Sequence, residues 1–449
     1  MKHAIEIKNK IILEKLLEIG VSLNDDKSMG ISILNSILSD CEEDKISLLL
    51  ERDITIIIND VLIYALNKLS KKQKNNIIAL ILNKVQTENS PANLNILVTW
   101  LVENNYTAEV VQTFLNKGAD CNSINALSQT LLIIAVEKNN TSLVKLLLDH
   151  GANINHRDNL GDTALTNAAY LGHIEIAKLL IKHNANTNIC NDLGNNAFMV
   201  AILKEHRDIA MELFNKTKDI SHYKNQKGTT ALMLAAAAGL TDMVVQLVAM
   251  GANINTMSKD GYTALRWAIQ ENHEDIVKCL MQQNPNLCLR EKRGRLAIFY
   301  AILSGNVNIV DIMLTNDTDL NHISFSDDGT NSALTLAITL GYIELIKLLI
   351  KKVDINHVDL QGHTALKTAS IYGLTECIDI LLSNGAKINY QDIVLGRTAL
   401  MTAAEQNQIE AVKYLLKRGA DLKLKDKMGN KAIDLATDDQ IKKLLSVIH

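Results

Sequence analysis

Gly161-Asp162-Thr163-Ala164-Leu165-Thr166-Asn167-Ala168 is one copy of a phrase that returns along the chain at a nearly constant interval. The same Gly-x-Thr-Ala-Leu core stands at Gly228-Thr229-Thr230-Ala231-Leu232, Gly261-Tyr262-Thr263-Ala264-Leu265, Gly362-His363-Thr364-Ala365-Leu366 and Gly396-Arg397-Thr398-Ala399-Leu400. Weaker copies lie between them: Ser128-Gln129-Thr130-Leu131-Leu132, Gly194-Asn195-Asn196-Ala197-Phe198, Gly294-Arg295-Leu296-Ala297-Ile298 and Ser332-Ala333-Leu334. A second phrase alternates with the first, as in Leu146-Leu147-Leu148-Asp149-His150-Gly151-Ala152-Asn153-Ile154-Asn155. The interval is about 33 residues, enough for one turn and two short helices. A unit that small cannot bury its own apolar face, so it must stack on copies of itself.

Residues 158 to 191 show how one unit is written. Gly161 suits a tight turn at positive φ. Thr163 is placed to cap a first helix by accepting from an otherwise unpaired backbone N–H. Ala164, Leu165, Ala168 and Ala169 form one helical face whose small side chains let neighbouring helices approach. Gly172 closes that helix. Ile174 to Lys182 form a second, with Ile176, Leu179 and Leu180 as its buried stripe. Gly151, in the preceding copy, suits a left-handed helix end, and Asn153 and Asn155 start the reversal into the next unit.

These phrases resemble the ankyrin repeat from about Ser128 to Leu445. Turn Gly, capping Thr, Ala-Leu, second-helix Leu-Leu and Gly-Ala-x-x-Asn agree with it in order and spacing. The usual Pro of Thr-Pro-Leu is Ala here, a departure that keeps the first turn helical. The resemblance implies an all-α solenoid of L-shaped helix-turn-helix units, with reversals projecting as β-hairpin fingers and short inner helices lining a concave groove. On an Ile-, Asn- and Lys-rich chain whose prolines are Pro91 and Pro285 alone, the motifs also look like ankyrin proteins that intracellular bacteria deliver into host cells.

Three segments are expected: divergent helical repeats over 1–125, regular repeats over 126–428 and a capping repeat over 429–449. In the first, Gly30-Ile31-Ser32-Ile33-Leu34 with Lys45 to Glu51, Val61 to Ala65 with Ile77 to Leu82, and Ile96-Leu97 with Val110 to Leu115 read as degenerate helix pairs. Ile11 to Leu23 reads as the outer helix of a starting half-repeat. A separate helical domain ending in Gln86 to Pro91 is the alternative. At the other end, Asp438 to Val447 mixes Lys442 and Lys443 with Ile441, Leu444 and Leu445, as a terminal unit with a polar outer face requires. The chain reads as solenoid throughout, with nothing appended.

The 449 residues carry 46 basic and 50 acidic side chains, a balance that argues against a chain-wide nucleic-acid or membrane surface. Cys41, Cys121, Cys190, Cys279, Cys288 and Cys377 have no paired spacing and read as free thiols in a reducing compartment. The amino terminus, Met1-Lys2-His3-Ala4-Ile5-Glu6, runs into a charged amphipathic pattern rather than a signal core. No stretch approaches the ~20 apolar residues of a membrane span. A cytoplasmic monomer is the expectation, in its own cell or in a host cytosol. No phosphate-binding loop, nucleophile elbow, zinc-protease or kinase phrase is present. His150, His173, His183 and His273 fall at helix ends, where they satisfy backbone groups. No catalytic residue, metal or cofactor is expected.

Function must then lie in the positions that each unit leaves free. Leu160, Leu193, Leu360 and Leu395 sit at finger tips. Tyr170 with Leu171, Leu203, Leu303, Leu340, and Ile371 with Tyr372 sit at inner-helix ends, while Tyr262 and His363 follow the turn Gly. A row of such residues on one face marks a partner site, and Tyr is favoured in contact surfaces. The competing reading has the leucines covered by adjacent fingers. Arg290-Glu291-Lys292-Arg293-Gly294-Arg295 places Lys292, Arg293 and Arg295 around one tip, with Arg266 of the preceding unit nearby. A lengthened finger between Thr315 and Asn331 offers Phe325 beside Asp327 and Asp328. The leading expectation is a non-enzymatic scaffold binding a partner protein through groove and fingers around residues 160 to 400. Its rivals are an enzyme hidden in residues 1 to 125 and a nucleic-acid binder using Arg290 to Arg295.

Overall fold

The computed structural model describes residues 63, 66–84, 91–214, 216–217, 220–314, 332–359 and 362–447. The segments Ile11 to Leu23, Gly30 to Leu34 and Lys45 to Glu51 lie outside them, as do Phe325, Asp327, Asp328 and Leu360. The chain divides into two compact units, Met1–Lys218 and Asp219–His449.

In the first unit, α1 (Lys71–Lys84) precedes three-turn and two-turn helices in pairs. These are α2 (Pro91–Glu103) with α3 (Ala108–Asn116), α4 (Leu131–Glu137) with α5 (Thr141–Asp149), α6 (Ala164–Leu171) with α7 (Ile174–Lys182), and α8 (Ala197–Leu203) with α9 (Arg207–Phe214). First helices pack on first helices, α2 on α4 on α6 on α8, and second on second, α3 on α5 on α7 on α9. Ile96-Leu97 fall in α2 and Val110 to Leu115 in α3, so those stretches form a helix pair, and each of the two packs on its counterpart in the next pair.

The second unit repeats the scheme. Its first helices are α10 (Ala231–Ala237), α12 (Ala264–Gln270), α14 (Ala297–Ser304), α16 (Ala333–Leu340), α18 (Ala365–Ile371), α20 (Ala399–Glu405) and α22 (Ala432–Leu435). Their partners are α11 (Thr241–Ala249), α13 (Glu274–Met281), α15 (Val307–Leu314), α17 (Ile343–Leu349), α19 (Thr375–Ser383), α21 (Ile409–Lys417) and α23 (Asp439–Val447). Each row again packs neighbour on neighbour.

The capping residues behave as their chemistry requires. Thr163, Thr230, Thr263, Thr364 and Thr398 each accept the N–H three residues on, fixing where the first helix begins. Ala164, Leu165, Ala168 and Ala169 are buried between helices, as are Ile176 and Leu180. Leu179 is only half-buried, whereas Ala177 of the same helix is fully buried. Helix-row burial of this kind, summed over units, is what holds a solenoid together in the absence of one central core.

Adjacent repeats are also laced by asparagine. Asn122 Oδ1 accepts the N–H of Asn153 at 2.7 Å, Asn155 that of Asn186 at 2.8 Å, Asn255 that of Asn286 at 2.8 Å and Asn356 that of Lys387 at 2.8 Å. The Asn of Gly-Ala-x-x-Asn thus ties its own reversal to the next one. The fingers are tight reversals closed by single antiparallel bridges at Ile124–Thr130, Cys190–Asn196, Lys224–Thr230 and Arg290–Leu296.

Candidate functional site

Three finger tips of the first unit are each built from a short polar residue three positions before the turn. Asn125 Oδ1 accepts from the N–H of Leu127 at 2.9 Å and of Gln129 at 3.0 Å. Asp158 does the same for Leu160 and Asp162, and Asn191 for Leu193 and Asn195. Asn and Asp suit this task because their side chains reach their own backbone two residues on. Neighbouring tips are then joined through the main chain: Asn159 N–H donates to Leu127 O at 3.2 Å, and Asp192 N–H to Leu160 O at 3.0 Å. With the backbone satisfied, the side chains turn outward. Leu127, Leu160 and Leu193 are 60%, 69% and 62% exposed, so adjacent fingers do not cover them.

The carboxyl ends of the first helices in this unit offer a second set. Tyr170, Leu171 and Leu203 are exposed. The Lys204 ammonium lies 4.1 Å from the Tyr170 ring centroid. Behind it, His206 Nε2 donates to Tyr170 O at 3.2 Å, so the backbone carrying the ring is fixed by the next repeat. The same device recurs as His273 to Ala237 O and Gln408 to Ile371 O. His150 instead bonds Leu146 O within its own repeat.

In the second unit, the basic finger is divided in role. Lys292 Nζ pairs with Asp260 at 2.9 Å, both exposed, and Arg290 donates to Gly294 O at 2.6 Å. Arg293 is exposed and makes no ion pair among the described residues. Arg295 is half-buried, its guanidinium 4.9 Å from the Phe299 ring centroid. Arg266 departs from the sequence reading: it is only 7% exposed and is not presented at the tip. Its guanidinium sits 4.9 Å from the Tyr262 centroid and 3.4 Å from that of Tyr300, and bonds Gln270 at 2.7 Å. Tyr262 is half-buried, edge-on to Trp267 at 5.5 Å. Glu291 occupies the Asn/Asp position of this finger; its longer side chain is buried and accepts from the Tyr300 hydroxyl. Burial, then Glu291, pushes the Tyr300 pKa up, while Arg266 and Arg295 pull it down.

Farther along, Tyr372 is exposed and Ile371 half-buried. His363 is half-buried with Nδ1 3.9 Å from Asp359. Lys367, one turn into the same helix, pairs with buried Asp392 at 2.7 Å. Sequence reasoning missed this pair and the aromatic sandwich around Arg266. Both join residues of adjacent repeats that share no local motif.

Among the described residues no group of three or more His, Cys, Asp or Glu side chains stands where it could hold a metal ion. A cavity of about 550 Å³ in the first unit is lined by Lys71, Lys74, Ile78, Asn104, Tyr106 and Val110 among others, with no carboxylate, imidazole or thiol in its described wall. No described helix is long and apolar enough to cross a membrane.

Comparison with known proteins follows the same lines. The profile for ankyrin repeats (3 copies) matches residues 98–191, 179–258, 240–324 and 298–392, and that for ankyrin repeats (many copies) matches 394–436. No curated protein matches the chain. Among solved structures, the chain is similar to the ankyrin repeat domain of Bcl-3, described as a unique member of the IkappaB protein family. The identity there is 23%, over 49% of this chain and 99% of that one, with a TM-score of 0.46. It is also similar to the human ASB11 ankyrin repeat domain, at 26% identity over 48% of this chain and 96% of that one, with a TM-score of 0.41.

Proposed function

The chain belongs to the ankyrin-repeat family, whose repeats generally mediate protein–protein interaction, and from that premise we propose that it is a non-enzymatic scaffold gripping a partner protein by its finger tips and first-helix ends. The observation that carries the reading is the row Leu127, Leu160 and Leu193, each well over half exposed on backbone that its neighbour holds in register. Exposed leucine is unremarkable singly; a row at one structural position is a contact surface. Burying one such side chain against a partner contributes about 1.5–3 kcal/mol, and a pre-formed surface loses little entropy on binding. Tyr170 and Leu171, exposed at a first-helix end, are the further proposed contacts in the first unit. In the second, Tyr262, Lys292, Arg293, Arg295, His363, Ile371 and Tyr372 are the proposed contacts. Delivery into a host cell would change which protein is met, not how it is held.

The test is capture from cell lysate, read by mass spectrometry, with the wild-type chain and a Leu127→Ser/Leu160→Ser/Leu193→Ser variant. Capture of a specific protein should be lost while the helical signal and melting temperature stay put. Undiminished capture would sink the proposal, and a collapsed melting transition would show the leucines to be structural. Tyr170→Ala and Tyr372→Ala should behave like the leucine variant. Tyr262→Ala should instead cost stability, since its ring packs on Trp267 and Arg266.

A further inference from the structure

Two adjoining fingers of the second unit, those that lead into α20 and α22, turn large apolar side chains to the outside. Ile393 and Val394 are 65% and 53% exposed at the first tip, and Met428 is 75% exposed at the second. The first tip has four residues from its turn-forming Asp392 to Gly396, where the second has three from Asp426 to Gly429, so it presents Ile393, Val394 and Leu395 in a row. The tips are held side by side. Lys427 N–H donates to Leu395 O, the Lys427 ammonium to Ile393 O, and Gln391 Nε2 to Lys425 O at 2.7 Å. Apolar side chains that are gathered on fixed backbone and left in water mark a contact surface.

The ground behind these tips is basic. From Asp421 to Lys431 four lysines stand against two carboxylates, on a chain whose net charge is −4. Lys423, Lys425 and Lys427 are exposed and alternate with Leu422, Leu424 and Asp426, which turn inward. None of the three ammonium groups makes an ion pair among the described residues. Asp426 is buried with Arg397 beside it, and Asp392 of the first tip is buried against Lys367. Asp421 is exposed, and its Oδ1 accepts the Lys423 N–H at 2.7 Å.

We propose that the two tips dock on an anionic phospholipid surface, with Met428, Ile393 and Val394 entering the boundary between headgroups and acyl chains and Lys423, Lys425 and Lys427 lying against the phosphates. Apolar insertion and attraction to anionic headgroups are the two contributions that hold a protein on a bilayer without spanning it. Lysine suits the second, because its compact charge rides on a flexible stem and needs no fixed fork of acceptors. Salt weakens the charge attraction beyond a Debye length, so the apolar tips supply the contact that persists at physiological ionic strength. Nucleic acid is the poorer fit. Its phosphates would leave the apolar tips in water, and neither 392–396 nor 425–429 holds an aromatic ring to stack on a base.

The inference goes beyond the scaffold reading and uses other residues. It is tested by co-sedimentation of the full chain, at physiological salt, with vesicles of phosphatidylcholine alone or mixed with phosphatidylserine at about three to one. Binding to the mixed vesicles and little to the neutral ones is expected. Lys423→Glu/Lys425→Glu and Ile393→Ser/Met428→Ser should each weaken it about tenfold or more, with the melting temperature unchanged because all four side chains are exposed. Lys145→Glu/Lys182→Glu, the same charge change on exposed second-helix positions of the first unit, and the triple leucine variant should bind as wild type does. Absence of binding to the mixed vesicles, an equal loss in Lys145→Glu/Lys182→Glu, or undiminished binding of Ile393→Ser/Met428→Ser would each overturn the proposal. Binding of a soluble peptide alternating Glu with Gly in place of the vesicles would overturn it too, and assign the face to an acidic protein segment. Lysate capture through the leucine row can survive any of these failures, so the two readings fall separately.

Discussion

Two glycines with nearly equal backbone angles separate conformational cost from steric cost. Gly151 and Gly172 both lie in the left-handed region, at φ of 78° and 79°. A Cβ on Gly151 would meet nothing within 4 Å, whereas on Gly172 it would meet the His206 ring at 2.6 Å. Gly151→Ala should therefore lower unfolding stability by about 1 kcal/mol, the backbone penalty alone. Gly172→Ala should cost clearly more in urea titration, and His206→Ala should recover the excess; additive losses would show that the ring moves aside freely. A second prediction concerns His363. Burial, then Lys367, holds its pKa below the usual 6.5, with Asp359 and Asp392 opposing. The folded chain then binds fewer protons here than the unfolded one. Its stabilising share is intact above about pH 6.5 and erodes as pH falls through that value toward the lowered one. His363→Gln should flatten the fall in urea midpoint between neutral pH and about pH 5.5. An unchanged slope would assign the fall to other groups, His173 first among them.

Between neighbouring elements, the Lys367–Asp392 pair joins α18 to the next finger with both side chains withdrawn from water. Burial would raise the Asp392 pKa, but Lys367 and the N–H groups of Leu395 and Arg397 outweigh it and hold it low. Asp392 also organises its turn, accepting from Val394, Leu395 and Arg397. Lys367→Met strands that carboxylate and should destabilise by about 3 kcal/mol, as broken buried pairs do. A loss within a few tenths in a denaturation curve would mean that the turn N–H groups suffice as compensation. The frame of each repeat was plain in the sequence because Gly, Thr and Ala-Leu act within a few residues of themselves. The side chains that join repeats were not. Asn155 looked like a turn former, yet its oxygen serves the following reversal. Arg266 looked like surface charge, yet it lies buried against Tyr262 and against Tyr300 of the next repeat.

At the scale of the molecule, each compact unit draws its packing from its own helix rows. Stability in such arrays is a sum of units and nearest-neighbour interfaces, so damage stays local. Hydrogen exchange on the Lys367→Met variant should accelerate around residues 365–405 and leave 131–214 at wild-type rates. Uniform acceleration across both would mean that the chain unfolds as one cooperative block. The tip leucines Leu160 and Leu193 were readable as candidates, but their exposure was not, because it depends on how the main chain joins one finger to the next. One finger already shows how tolerant that arrangement is. Between Asp392 and Gly396 it carries an extra residue, with Ile393 and Val394 exposed, yet Asp392 still holds the turn and Lys427 N–H still reaches Leu395 O at 2.9 Å. A loop that can be lengthened without disturbing its anchor is a natural cassette. Foreign recognition sequences spliced there would be displayed on a rigid mount, and selection could rewrite what the protein holds while leaving intact how it folds.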